Sequence, residues 1–309
     1  MKNIKHILIC GAGMMGKNIA FVMSSNPAYE VGVYDLYPTD VEAGIRTNTK
    51  QLVDKGILSE EKLAERLSRI SFTTDIDSAL VSKADFVIEA VFEDMQIKRD
   101  TFAKLEARCR PDTIFCTNSS VMSPSEISRD LTYRERFVGT HFWNPGHLIP
   151  LVEVIKSDAS SDDVAQTVME VLASVGKEPV LCKKDVPGFI ANRMQHALWR
   201  EAISIVERGI ADADTVDKAV KYSFGLRLPK LAPMENADMV GLDLTYNIHD
   251  YILKDLEDSH EPSPLLKQLR DEGKLGFKTG EGFQRWTAEE TAASGAALNE
   301  YLIRMLYGK

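Results

Sequence analysis

The sequence predicts an α/β fold: a doubly wound sheet, followed by an all-helical domain. Apolar runs of strand length alternate with helical patterns up to residue 182, and clear examples of such runs lie at residues 7–9, 86–91 and 114–116. This alternation is typical of sheets with helices on both faces. After the turn signal Pro187-Gly188 every pattern is helical. We therefore predict two domains, residues 1–186 and 187–309, in a chain of 309 residues that is long enough for two cores.

The first element of the sheet carries a glycine-rich turn. The apolar run at residues 7–9 ends at Gly11-Ala12-Gly13-Met14-Met15-Gly16, a helical pattern follows, and a second run at residues 31–34 ends at Asp35. In this arrangement the glycines allow a tight turn and close approach of a pyrophosphate, and the N–H groups of the helix start face the anion.

The acid that follows the second run decides the type of dinucleotide. Asp35 lies 19 residues after Gly16, where a carboxylate can accept hydrogen bonds from the hydroxyls of the adenosine ribose. No Lys or Arg follows immediately to accept a 2′-phosphate. The sequence therefore predicts a Rossmann-type NAD site that includes Gly11, Gly13, Met14, Met15, Gly16 and Asp35.

Residues from about 39 to 69 are predicted to form a pair of helices. Gly56 suits the end of the first helix, and Ser59, followed by two glutamates, suits the start of the second. A plain crossover between strands needs only one helix, so this pair is an insertion beside the cofactor site. Two interpretations are open: a solvated surface arm, or a wall of the substrate cleft.

Polar residues follow two later strands. The run at residues 86–91 is followed by Glu93 and Lys98, and the run at residues 114–116 opens into Asn118-Ser119-Ser120. Ligands of doubly wound sheets bind outside the carboxyl ends of the strands. We therefore expect these side chains to line the site.

A histidine and a glutamate twelve residues apart are the candidate acid–base pair. Glu153 lies within the apolar strand at residues 151–155, and His141 precedes it across a Pro-Gly turn. A carboxylate among Leu, Val and Ile loses its hydration unless a partner holds it. Such a pair can be a general base whose tautomer is fixed by a second group. A purely structural hydrogen bond fits the same spacing, whereas metal ligation that includes His147 is less favoured because the spacing matches no known ligand set.

Composition argues against several classes of protein. The net charge of -9 and the lack of a long Lys/Arg block argue against a nucleic-acid partner. No apolar run approaches the ~20 residues that a membrane-spanning helix needs, and the chain begins directly with a core strand. We expect a cytoplasmic protein with a small-molecule substrate and no membrane partner. No metal is predicted, because the four cysteines are scattered and none lies beside a histidine cluster.

With these residues in view, the chain resembles the L-3-hydroxyacyl-coenzyme A dehydrogenase family over essentially its whole length. The resemblance rests on motifs in a fixed order: the turn at residues 11–16, Asn118-Ser119-Ser120, His141-Phe142-Trp143-Asn144-Pro145, and the segments at residues 151–154, 185–193 and 278–283. It implies a Rossmann-type domain that binds NAD, a helical domain that forms a homodimer, and a place in fatty acid metabolism.

The resemblance also implies a role for each matching residue. His141 would be the general base and Glu153 its orienting partner, while Ser119 and Asn192 would bind the reacting oxygen. The nicotinamide half of NAD would be surrounded by Glu93, Lys98, Asn144 and Lys278. The implied reaction interconverts an L-3-hydroxyacyl-CoA and a 3-oxoacyl-CoA, with His141 moving the hydroxyl proton while hydride passes to NAD.

Two departures from the family pattern concern the substrate. Coenzyme A-using members commonly have Met-Lys where this chain has Ile149-Pro150, and the latter is closer to the gulonate and carnitine dehydrogenases and to relatives that oxidise a pyridine-ring aldehyde. The helix that would offer cations to coenzyme A carries Arg46 and Lys50, but Asp54 lies four residues from Lys50.

Three functional hypotheses follow. An acyl-CoA substrate is the leading hypothesis, and a small substrate without coenzyme A is the alternative. A cofactor-binding protein without catalysis, like the lens crystallins of this lineage, is disfavoured because the set of Ser119, His141, Glu153 and Asn192 is intact.

Overall fold

A computed structural model describes residues 4–308 and contains an eight-stranded sheet. The strands are β1 (His6–Cys10), β2 (Glu30–Tyr34), β3 (Ile70–Thr73), β4 (Phe86–Glu89), β5 (Ile114–Thr117), β6 (Phe137–Phe142), β7 (Leu151–Lys156) and β8 (Glu178–Cys182). Their spatial order is β3-β2-β1-β4-β5-β6-β7-β8. The strands β1 to β6 are parallel, β7 is antiparallel to β6, and β8 is parallel to β7.

Helices connect the strands, and a further series of helices follows β8. Those up to β8 are α1 (Met14–Met23), α2 (Val41–Asp54), α3 (Glu60–Leu67), α4 (Ala79–Ser82), α5 (Met95–Glu106), α6 (Pro124–Ile127) and α7 (Asp162–Ser174). Those after β8 are α8 (Ala191–Glu207), α9 (Ala213–Lys221), α10 (Phe224–Arg227), α11 (Pro233–Val240), α12 (Leu242–Ile252), α13 (Pro264–Asp271) and α14 (Ala288–Tyr307). The predicted fold class, a doubly wound sheet with a helical-hairpin insertion followed by helices, is confirmed.

The sheet is buried on both faces, which explains why its central strands are continuous apolar runs. Along β1, Ile7 and Ile9 belong to one buried cluster while Leu8 and Cys10 belong to another. The edge strand β3 is only partly buried. It is missing from the sequence-based prediction because a half-exposed strand of four residues has no continuous apolar run.

The hairpin of α2 and α3 forms through the local signals that the sequence contains. Asp40 caps α2 by accepting from the Ala43 N–H at 2.8 Å, and Ser59 caps α3 by accepting from the Lys62 N–H at 3.2 Å. Gly56, at φ +63°, adopts the left-handed conformation that ends helices. The predicted helix pair is confirmed.

The chain divides into two compact units. One unit holds the described residues up to Ala191 together with those from Ala297 onward, and the other holds Asn192–Ala296. In the second unit, α11 and α12 are separate helices, because Gly241 lies between them with φ +103°. The domain boundary at residues 186 and 187 stays a prediction.

Two kinds of feature are absent from residues 4–308. In that range no helix is both long and apolar enough to span a bilayer. Over the same residues no group of three or more His, Cys, Asp or Glu side chains could hold a metal ion.

Candidate active site

The glycine-rich turn between β1 and α1 has the backbone that a dinucleotide needs. Gly11 has φ +107°, and a Cβ there would lie 2.6 Å from the Ala90 carbonyl oxygen. A Cβ on Gly16 would lie 1.8 Å from the Gly11 carbonyl oxygen, whereas Gly13 has open space around it. No side chain caps α1 at Gly13, and its first turn carries no acid. The start of α1 therefore offers uncapped N–H groups beside open space, which fits a pyrophosphate.

Asp35 connects the end of β2 to this turn. Its Oδ2 accepts from the Ala12 N–H at 2.6 Å, and its Oδ1 accepts from the Tyr37 N–H at 3.0 Å. The carboxylate therefore lies against the turn, at the position from which a ribose would be bound.

Large apolar side chains that follow the carboxyl ends of the strands are exposed around this turn. Phe92 after β4 is 81% exposed, and the others are Met14, Leu36, Tyr37 and Val121. An exposed apolar group beside backbone donors indicates a ligand surface. The site therefore fits NAD in both its polar and its apolar parts.

We expect NAD to be preferred over NADP by at least ~10-fold, because a carboxylate repels a 2′-phosphate. Asp35→Asn should narrow this preference, since the amide removes the charge but can still accept from the Ala12 N–H. Dissociation constants of NADH and NADPH from the two proteins, measured by fluorescence, check this without any substrate. Equal affinity of the unmutated protein for both cofactors would contradict the role given to Asp35.

His141 and Glu153 face each other across two neighbouring strands. They are register partners of β6 and β7, and His141 Nδ1 lies 2.8 Å from Glu153 Oε2. Both side chains are buried, with His141 4% and Glu153 0% exposed. The predicted pairing is confirmed as a contact, while its catalytic role stays a prediction.

Glu153 accepts hydrogen bonds from four donors. Its Oε2 also accepts from the Trp143 indole at 3.3 Å, and its Oε1 accepts from the N–H groups of Ile190 and Ala191 at 2.9 and 3.0 Å. Burial by itself raises the pKa of Glu153, but these hydrogen bonds outweigh burial and hold the pKa below its ordinary value. The carboxylate is therefore charged and fixed in position.

The two backbone donors come from a strained turn before α8. Phe189 has φ 51°, a left-handed conformation that L side chains rarely adopt, and it follows Gly188 at φ 75°. The Phe189 side chain is buried, and its ring centre lies 5.8 Å from that of His141. This turn aims the N–H groups at the start of α8 at Glu153. The sequence indicated the Pro-Gly turn but neither these donors nor the Trp143 contact.

A buried lysine gathers two acids, one at the end of β4 and one in the loop that follows it. Lys98 Nζ lies 2.8 Å from Glu89 Oε1 and 3.1 Å from Glu93 Oε2. Thr117 donates to Glu89 at 2.7 Å, and Ser119 Oγ donates to Glu93. Burial raises the pKa of Glu89 despite these contacts, whereas for Glu93 the hydrogen bonds from Ser119 and Lys98 outweigh burial and lower the pKa. Lys98, Glu93 and Ser119 are thus brought together as predicted, and Glu89 joins them unpredicted.

The remaining predicted residues lie in both units. Asn144 is exposed in the loop between β6 and β7. Asn192 is buried at the start of the second unit, where Lys278 is exposed in the loop before α14. On α2, Arg46 and Lys50 are both paired with acids of this chain. The roles predicted for these five residues stay predictions.

Comparison with known proteins identifies the family. The model for the 3-hydroxyacyl-CoA dehydrogenase NAD binding domain matches residues 6–186, and the model for the C-terminal domain of the same family matches residues 188–286. A probable 3-hydroxybutyryl-CoA dehydrogenase of Bacillus subtilis is 36% identical over 284 residues, which cover 91% of this chain and 96% of that protein.

A second kind of relative matches almost the whole chain. The 5-formyl-3-hydroxy-2-methylpyridine 4-carboxylate 5-dehydrogenase of Mesorhizobium japonicum is 33% identical over 312 residues, 99% of each chain. A crystal structure of a 5-dehydrogenase for the same pyridine compound, an NAD+-dependent dismutase, has a TM-score of 0.89 at 33% identity and 99% coverage of both chains. The chain belongs to the 3-hydroxyacyl-CoA dehydrogenase family of NAD-dependent oxidoreductases.

Proposed function

We propose that this protein interconverts a hydroxyl-bearing carbon and a carbonyl by hydride transfer to and from NAD, with His141 as the acid–base group. The observation that carries this proposal is the buried pair of His141 and Glu153. Because Nδ1 faces Glu153, Nε2 is the atom that exchanges a proton with substrate. When bound, NAD supplies the hydride acceptor.

Glu153 supports this proton transfer electrostatically. As His141 takes the hydroxyl proton it becomes an imidazolium, and the charged carboxylate at Nδ1 stabilises that cation. In the reverse direction, His141 returns the proton to the developing alkoxide. Ser119 and Asn192 are proposed to donate to the reacting oxygen, where hydrogen bonds matter most while the oxygen carries partial charge.

The residues proposed around the nicotinamide half of NAD are Glu93, Lys98, Asn144 and Lys278. The contact between Lys98 and Glu93 supports a common role for these two. In the structure the Ser119 hydroxyl donates to Glu93. To donate to a substrate oxygen, this hydroxyl must turn away from Glu93.

Two substrate classes remain for this reaction. An L-3-hydroxyacyl-CoA is supported by the Bacillus relative and by the family model. A small substrate without coenzyme A is supported by the pyridine dehydrogenase, which matches more of the chain. An NADH-formation screen of hydroxyacyl-CoA thioesters, free hydroxy acids and aromatic aldehydes tests the proposal. Absence of NADH with every substrate, in protein shown to bind NAD, would contradict it.

A homodimer formed through the second unit is also proposed. Val216 is the one buried large apolar side chain among residues 192–296, and α12 alone exposes six: Leu242, Leu244, Tyr246, Ile248, Tyr251 and Ile252. Apolar surface of this extent is normally covered by a partner. A cytoplasmic location and a role in fatty acid metabolism remain predictions.

Light scattering should therefore find two chains per particle. Tyr246→Glu with Tyr251→Glu, which places charges on the exposed face of α12, should give single chains. The matched control is Ile97→Glu, an exposed apolar position of the first unit, which should leave the dimer intact. A monomeric parent protein would contradict the proposal.

A further inference from the structure

A second buried lysine, Lys177, differs from Lys98 in the groups that its ammonium meets. Among residues 4–308 these two lysines are buried. Lys98 pairs with two acids, whereas the hydrogen bonds of the Lys177 ammonium go to backbone carbonyls and no carboxylate in that range pairs with it. A buried cation without an acid is costly to desolvate. The charge of Lys177 therefore indicates a task that an apolar side chain could not perform.

The Lys177 ammonium ties together the loop that joins β6 to β7. Its Nζ donates to the carbonyl oxygen of Gly146 at 2.7 Å and to that of Ile149 at 2.6 Å, and both residues belong to this loop, residues 143–150. The charge of the donor strengthens both hydrogen bonds. Because one nitrogen holds two carbonyls of the loop, it fixes the course of the backbone between them.

The same loop packs closely on α1, the helix that begins at the glycine-rich turn. A Cβ on Gly146 would lie 3.2 Å from the Asn18 Cβ and 3.3 Å from the Met15 Cε, so a larger residue would push the loop away from the helix. The loop is thus in contact both with Lys177 and with the helix of the NAD site.

The loop and its flanking strand carry residues of the proposed reaction. Trp143 donates to Glu153 Oε2 at 3.3 Å, and Asn144 is proposed to lie at the nicotinamide half of NAD. The lysine ammonium also lies over the ring of Phe142, 5.9 Å from its centre, and Phe142 directly follows His141. A shift of the loop would therefore move the acid–base pair relative to the cofactor.

We propose that Lys177 is a positioning residue: by holding the carbonyls of Gly146 and Ile149, it sets the distance between the acid–base pair and the glycine-rich turn. This inference rests on the proposed function, since the lysine acts through His141 and Glu153 and takes no part in the proton transfer itself. Proton and hydride must be transferred in one bound geometry, and a misplacement of about 1 Å can cost ~10²-fold in rate.

Lys177→Met removes the charge and both hydrogen bonds but keeps an unbranched side chain. We expect turnover to fall at least ~10-fold, whereas the affinity for NADH should stay within a few-fold, because the glycine-rich turn and Asp35 keep their contact. The matched control is Lys156→Met, which removes a lysine that pairs with the exposed Asp162 of the same unit and should retain turnover. Parent-like turnover in Lys177→Met, or an equal loss in the control, would overturn the inference and leave the proposed function standing.

The fluorescence of Trp143 tests the position of the loop without any turnover. The chain has three tryptophans, so Trp199→Phe with Trp286→Phe leaves Trp143 as the single emitter. In that background, Lys177→Met should shift the emission maximum, and Lys156→Met should not. An unchanged spectrum in Lys177→Met would overturn the inference whether or not a substrate is known.

A pH titration of the same single-tryptophan protein needs no change at Lys177. Within residues 4–308, burial alone lowers the pKa of Lys177 to about 8, so the ammonium is charged at pH 7 and loses the charge that strengthens its hydrogen bonds as the pH rises through that value. His147 is the titratable group of the loop, and its pKa of about 4 keeps it neutral over this range, while α1 presents Met15 and Asn18, which do not titrate.

The Trp143 emission should therefore change with a midpoint near pH 8 when Lys177 is present and stay constant over this range in Lys177→Met. This measurement decides the question even if the Lys177→Met protein fails to fold. Absence of a transition between about pH 7 and pH 9 in the protein that keeps Lys177 would overturn the inference.

Discussion

Replacing His141 with alanine is expected to lower turnover by ~10²–10⁴-fold while NAD still binds. The imidazole is the buried group that Glu153 orients. Once the imidazole is removed, no group replaces it in the proposed proton transfer. The glycine-rich turn and Asp35 contact each other and not His141, so the affinity for NADH should stay within a few-fold. Turnover of the substrate found in the screen, beside NADH binding by fluorescence, measures the two effects separately.

A neighbouring histidine supplies the control. His147 lies six residues later, outside the contact with Glu153, and its Nδ1 is buried without a hydrogen-bond partner. Burial first, and then the charge of Lys177, lower the pKa of His147 to about 4, so it is neutral at pH 7. His147→Asn should keep turnover within a few-fold. If His141→Ala retained similar activity, the general base would have been misassigned.

Glu153→Gln is expected to lower both turnover and stability. The carboxylate accepts at both oxygens, from His141 and Trp143 on one and from Ile190 and Ala191 on the other. An amide has one oxygen, so its NH2 group must face one of these pairs of donors. If it faces His141, the imidazole must accept at Nδ1 and carries its proton at Nε2, where it can no longer act as a base.

The sizes of these effects follow from the buried charge. We expect turnover to fall ~10²-fold or more and the free energy of unfolding to fall by about 2–4 kcal/mol, because buried donors lose a charged acceptor. Trp143→Phe is the graded control. It removes only the longest of the four hydrogen bonds, at 3.3 Å, and should cost about 1 kcal/mol. Parent-like turnover and melting temperature in Glu153→Gln would contradict the role of this carboxylate.

The pH dependence of stability gives Glu153→Gln a second readout. The pKa of Glu153 is lower in the folded protein than in the unfolded chain, so the carboxylate contributes stability above the unfolded pKa of about 4.3. That contribution is lost as the pH falls through the lower, folded pKa. The difference in melting temperature between parent and variant should therefore be largest near pH 7 and narrow below about pH 4.3. A difference that stays constant with pH would indicate a loss of packing and not of charge.

The sequence by itself determined the elements whose causes are local. The glycines at residues 11–16, the acid at Asp35 and the cap at Ser59 each act within a few residues or one βαβ unit, so their patterns can be read directly. Lys50 and Asp54 are four apart on one helix face, and their ion pair follows from that spacing. The pairing of His141 with Glu153 could also be predicted from the sequence, because a short turn joins the two strands and a buried acid requires a partner.

Tertiary structure alone decided the contacts between residues far apart in the chain. The Ile190 and Ala191 N–H groups reach Glu153 because Phe189 adopts a left-handed conformation at φ 51°, which no preference of phenylalanine predicts. Thr117 reaches Glu89 from 28 residues away because β4 and β5 are neighbouring strands that end at the same edge of the sheet. Glu300 reaches Lys55 across 245 residues, since Ile303 is buried in the first unit. Partners of this kind are selected by the burial of apolar surface in the whole fold, so only the packed structure shows that Lys55 is paired with Glu300.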